Sequence, residues 1–172
     1  MESIVFKKAG EADVAAVKAV TRKAFINYAK ELRREDSVAA LHETDEAILS
    51  DIRQKHVYLC EVDGKVAGAV RFEVLGDGIA YLSRLAVDPE YQSLGIGGLL
   101  LEKVRRECLS LSVRAITLHT ASRMRSTVAF YLKNGYYIHS ITRDKEYIRA
   151  FMVCELTDMD ELYDYESVVG KR

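Results

Sequence analysis

A chain of 172 residues is long enough for one domain with a full core and too short for two, so residues 1–172 are expected to form a single domain. Its 25 basic and 26 acidic residues leave a formal charge of −1, which supplies no net pull toward nucleic acid or an anionic membrane. With 49% hydrophobic residues, 30% charged residues and one proline, the composition is that of a globular protein and excludes a disordered chain. Cys60, Cys108 and Cys154 are widely spaced and form no CxxC pair, which argues against a disulfide framework or a zinc ribbon and for buried thiols in a reducing compartment. The opening MESIVFKKAGEADVAAV places charges where a signal peptide needs an apolar run, and no stretch approaches the length of a membrane span. A cytoplasmic protein is expected.

In chain order, Val14, Val17, Val20, Ala24, Phe25, Tyr28 and Leu32 recur at three- and four-residue steps and predict an amphipathic helix over 13–32. Val38, Leu41, Ile48, Leu49 and Ile52 predict a second helix over 37–54, with Ser37 as its N-cap. VYLCEV then reads as a strand, and Asp63-Gly64 as a hairpin turn into VAGAVRFEVL. Gly76-Asp77-Gly78 turns the chain into a third strand, IAYLSRLAV, which Pro89 stops. Beyond a glycine run, Ile96, Leu100, Val104, Cys108 and Leu111 mark a helix, and AITLHT a buried strand. Strand–helix–strand order makes that strand parallel to the one ending at Val87 if both share a sheet. A helix over 122–133 with Asn134-Gly135 as its left-handed end, a closing hairpin, and an acidic tail with a loop or weak helix complete the chain. The expectation is an α+β fold in the order α-α-β-β-β-α-β-α-β-β, its mixed, mostly antiparallel sheet holding one parallel step at the glycine run.

That run, DPEYQSLGIGG, competes among phosphate motifs. A P-loop requires Lys-Ser or Lys-Thr after the glycines, which is absent, and a dinucleotide fingerprint requires a glycine where Leu100 stands. What remains, strand–DPEYQSLGIGG–helix, resembles the pyrophosphate-binding signature of the GCN5-related N-acetyltransferase (GNAT) superfamily, with Gln92, Gly95 and Gly97 in its defining places. A helix N-terminus offers unpaired N–H groups and a partial positive charge to a pyrophosphate, and glycines let the backbone approach it. A second segment, STVAFYLKNGYYIHS, is similar to the later motif of the same superfamily and reads Phe130-Tyr131 through Gly135-Tyr136.

The resemblance implies a splayed parallel pair of strands that holds acetyl-CoA. Its pyrophosphate would lie on Gln92, Ser93, Leu94, Gly95, Ile96, Gly97 and Gly98, and its pantetheine along the backbone of Leu85, Ala86 and Val87. It also implies direct attack of an amine on the thioester in a ternary complex, with Tyr131 as proton donor to the departing thiolate. The family often places an acid on the strand before the glycine loop, but Ile79–Val87 contains none. Glu73 and His119 are therefore the candidates for the base. Met124 stands where members often carry a cofactor-holding Asn, and Ser122 and Ser126 are the candidate substitutes. The histidines form no metal pattern, so no metal is expected. The implied acceptor is a primary amine of a small molecule or peptide, and a homodimer through the sheet edge or closing hairpin fits the architecture. A donor with a longer acyl chain, or a CoA-binding module without turnover, are the alternatives.

Overall fold

The computed structural model describes residues 3–143 and 145–172. It opens on a strand the sequence pattern does not announce, β1 (Ile4–Lys8), whose positions are exposed apart from half-buried Phe6. Helix α1 (Val14–Leu32) follows and ends at Arg33, which adopts the left-handed conformation of a C-cap, φ 56°. The second helix is shorter than expected. Residues 35–41 form two 3₁₀ turns separated by an extended Val38, and α2 (Asp45–Gln54) starts only where Thr44 Oγ1 accepts the Ala47 N–H at 3.2 Å. Thr44, not Ser37, is the N-cap.

Strands β2 (His56–Val62) and β3 (Lys65–Val74) pair across Asp63-Gly64, both at positive φ as a type I′ turn demands. A turn at 76–78 leads into β4 (Ile79–Val87). Helix α3 (Ile96–Ser110), β5 (Ala115–Ala121), α4 (Arg125–Lys133), β6 (Tyr137–Thr142), β7 (Arg149–Glu155) and a final α5 (Tyr165–Val169) complete the chain. Helix α4 begins later than residue 122 because both the N–H and the hydroxyl of Ser122 bond Ile148 C=O. The strands run in the order β1-β2-β3-β4-β5-β7-β6 in a seven-stranded sheet, antiparallel in the assigned pairs except for β4 beside β5. The sheet is therefore mixed, with the parallel step where strand–helix–strand order requires it.

The chain divides into two compact units, Met1–Phe72 with Arg84–Lys103, and Glu73–Ser83 with Val104–Arg172. In the first, Val17, Val20, Ile48, Ile52, Val57 and Leu59 form a core between α1, α2 and β2. In the second, Ile79, Ala115, Phe151, Val153, Tyr165 and Val169 bury the face of β4, β5 and β7 that the C-terminal segment covers. Among the described residues no helix is long and apolar enough to cross a membrane, and no group of acids, histidines and cysteines could hold a metal ion.

Candidate active site

The first unit holds the glycine loop. Asp88, 4% exposed, caps the 3₁₀ turn Pro89–Leu94: its carboxylate accepts the Glu90 N–H at 3.1 Å and Lys23 Nζ at 2.7 Å. Burial works against its ionisation, but these two donors prevail and hold the carboxyl below its ordinary pKa. Its own N–H donates to Ala67 C=O at 2.9 Å, which fixes the loop on β3. Gly95, at φ 70°, reverses the backbone into α3, and a Cβ there would meet nothing within 4 Å. The first bond of the α3 ladder runs from Leu99 N–H to Gly95 C=O at 3.2 Å, so helix geometry leaves the N–H groups ahead of Leu99 without an intrahelical acceptor. Gln92 and Ser93 are exposed, Leu94, Gly97 and Gly98 half-buried, and Ile96 is wholly buried as the anchor beneath the loop. A left-handed glycine facing open space ahead of a 15-residue helix fits a pyrophosphate.

Strand β4 leads to this loop through a kink. Arg84 sits at φ 51° inside the strand, a conformation that costs a non-glycine residue about 1–2 kcal/mol. Its Nε donates to Glu43 Oε1 at 3.0 Å, and the same carboxylate receives both terminal nitrogens of the buried Arg71 at 2.9 Å. Arg71 also reaches Asp51 at 2.8 Å. The kink is thus tied to β3 and α2 by charge-assisted hydrogen bonds. Leu85, Ala86 and Val87 follow it, Ala86 buried and its neighbours half-buried. Arginine carries no sequence signature for positive φ, so nothing in the chain announces this feature.

The second unit holds the titratable candidates. Strands β4 and β5 pair at Ile79↔Ala115, Ala80↔Ile116 and Tyr81↔Thr117, and their ladder ends there. Beyond it on β5, His119 Nδ1 lies 2.9 Å from Tyr81 Oη, and its ring tilts against Phe151 with centroids 4.8 Å apart. Glu73 accepts Arg172 NH1 at 2.7 Å, and the Arg172 guanidinium lies 5.8 Å from the centre of the Tyr81 ring. Glu73 and His119 are thus linked through Arg172 and Tyr81, two residues that sequence reasoning did not select. Tyr131 is 7% exposed on α4, its ring edge-on to Tyr136 at 5.5 Å. Ser126 is exposed in the first turn of α4, whereas Met124, 3% exposed, is a core residue ahead of that turn. Near His119 a pocket of about 280 Å³ is lined by Thr142, Phe151, Glu166, Val169 and Lys171.

The sequence profile of the Acetyltransferase (GNAT) family matches residues 26–136, more than half of the chain. The chain belongs to this family. Among curated proteins, the GNAT chain is 27% identical over 128 residues to the S-(2-succino)cysteine N-acetyltransferase of Bacillus subtilis (strain 168), across 69% of its own length and 77% of the relative's. Among solved structures it resembles the PaiA N-acetyltransferase of Thermoplasma acidophilum, determined in complex with coenzyme A. The TM-score is 0.79 and the identity 20%, with 89% of this chain and 99% of that one covered. The ribosomal-protein-S18-alanine N-acetyltransferase of Escherichia coli aligns with a TM-score of 0.72 at 20% identity, over 96% of this chain and all of the other. At these identities the solved structures establish the shared GNAT fold. The chain is accordingly an N-acetyltransferase of the GNAT type, a family whose members are solved with coenzyme A bound.

Proposed function

We propose that this GNAT acetyltransferase is a single catalytic domain of the cytoplasm that moves an acetyl group from acetyl-CoA to a primary amine by direct attack in a ternary complex. The loop geometry carries the reading: left-handed Gly95 faces open space immediately ahead of the α3 N–H groups. The N–H groups of Ile96, Gly97 and Gly98 receive the pyrophosphate above the turn formed by Gln92, Ser93, Leu94 and Gly95, Ser126 adds a hydroxyl on α4, and the backbone of Leu85, Ala86 and Val87 pairs with the pantetheine. Free, buried Cys60, Cys108 and Cys154 support a reducing compartment.

In the transfer, the amine nitrogen bonds to the thioester carbon as the carbon–sulfur bond breaks, and a main-chain N–H at the end of β4 takes up the charge growing on the carbonyl oxygen. A neutral amine is required, and a lysine-like amine is charged at neutral pH, so a proton must first leave. His119 takes it. With its other proton on Nδ1, the imidazole donates to Tyr81 Oη, 2.9 Å away, and Nε2 is the basic nitrogen. Glu73, held by Arg172 at 2.7 Å, adds negative charge nearby and does not itself take the proton. Tyr131 O–H protonates the departing sulfur, and the second proton of the attacking nitrogen returns to the Tyr131 oxygen through solvent, so that CoA thiol and the neutral N-acetyl amine leave with the tyrosine restored.

Calorimetry with acetyl-CoA, CoA, NADH and ATP tests the donor: binding restricted to the two CoA species is expected, and a preference for NADH or ATP overturns it. Tyr131→Phe is expected to lower kcat by about a hundredfold or more with acetyl-CoA affinity retained. Unaltered turnover in that variant removes Tyr131 from the acid role.

A further inference from the structure

Resting on the acetyltransferase reading, we infer that the acceptor is a small zwitterion, an amino acid or amino-acid derivative with a free carboxylate, bound in the pocket beside His119. The pocket measures about 280 Å³, just under the range of ordinary ligand sites and matched to an acceptor of amino-acid size. Its charged lining is one carboxylate, Glu166, and one ammonium, Lys171, both on the C-terminal segment. Both are exposed, so they select by charge complementarity and not by a buried-charge penalty: one group of each sign complements a zwitterion, and Lys171 adds an attraction that a simple amine lacks. Ser140 Oγ donates to the Glu166 carboxylate and orients it. Thr142 lines the same pocket, and its Oγ1 is buried without a hydrogen-bond partner. Phe151 and Val169 supply an apolar wall for a hydrocarbon side chain. His119, on the same wall, faces the amine that must lose its proton.

The test uses the whole protein. Acetyl-CoA binding is measured first by calorimetry, and initial rates are then taken with L-leucine, L-methionine and L-glutamate, each beside its amide, its decarboxylated amine and a pentapeptide that begins with it. Free amino acids are expected to exceed the amides, amines and peptides in kcat/KM by about tenfold or more, the effect of one charge-assisted contact. Lys171→Met is expected to collapse that preference toward unity through KM, and Lys171→Arg to restore it. Equal or better turnover of the amides, amines or peptides overturns the inference, as does a preference that survives Lys171→Met. With acetyl-CoA bound, no transfer to any acceptor also overturns it. Failure to bind acetyl-CoA is a separate result: it overturns the acetyltransferase reading and this inference with it.

Discussion

Two residues in the left-handed region bracket the end of β4, Arg84 at φ 51° and Gly95 at φ 70°. They differ in what sustains them. Arg84 is held by its ion pair to Glu43 at 3.0 Å, so the strain is offset by a side chain. Gly95 needs no such support, and the space beside it is open. Gly95→Ala therefore separates backbone strain from ligand contact. Strain alone predicts a loss of about 1–2 kcal/mol, read from denaturant unfolding. A methyl group facing a bound pyrophosphate adds a weakening of acetyl-CoA affinity beyond that loss, read by calorimetry. Unchanged affinity would put the pyrophosphate elsewhere. At this scale the glycine turn is legible in the chain because its chemistry is local, whereas Tyr131 is singled out only by its place in a motif that resembles the family's. The Tyr81–His119 contact is not, since it joins residues 38 apart in sequence through strand pairing.

Among the elements, the seating of α3 rests on a glycine that the motif does not include. A Cβ on Gly68 of β3 would lie 2.9 Å from Leu100 Cδ1, 3.0 Å from Ile96 Cγ2 and 3.0 Å from Ala86 C=O. The two side chains belong to α3, and the carbonyl is main chain of β4 that cannot swing aside. Gly68→Ala is expected to destabilise the protein by about 1–3 kcal/mol through overpacking and to weaken acetyl-CoA binding as the start of α3 shifts. An unfolding curve and a calorimetric titration check both, and a variant of wild-type stability would show that the helix yields freely. The meander β2-β3-β4 was legible because Asp63-Gly64 and Gly76–Gly78 are turn chemistry on the chain itself. Strand β1 was not, because a five-residue strand with little burial shows no clean alternation. The second helix is shorter than its pattern predicts because Val38 and Leu41 keep a helical period while Val38 is extended and Leu41 lies in a 3₁₀ turn. Helix α5, five residues long, is below the length at which periodicity speaks.

For the molecule as a whole, the composition pointed to buried thiols, and the structure places Cys60, Cys108 and Cys154 at 0%, 0% and 2% exposure. Burial, aided by Glu61, pushes the Cys60 thiol up to about 11; burial, with Glu107 and Cys154, pushes Cys108 up to about 12. Burial also raises Cys154, against the opposing pull of Arg105. At pH 8 a thiol with a pKa near 11 is ionised to about one part in a thousand, and only the thiolate attacks a disulfide reagent. The native protein is therefore expected to give no prompt colour with an aromatic disulfide such as Ellman's reagent, and the denatured chain three equivalents. Prompt reaction of the native protein would contradict the burial. Each acetyl transfer liberates one CoA thiol, so the enzyme's own sulfur is silent in the assay and turnover can be followed continuously, with unfolding revealed as a slow rise in the blank.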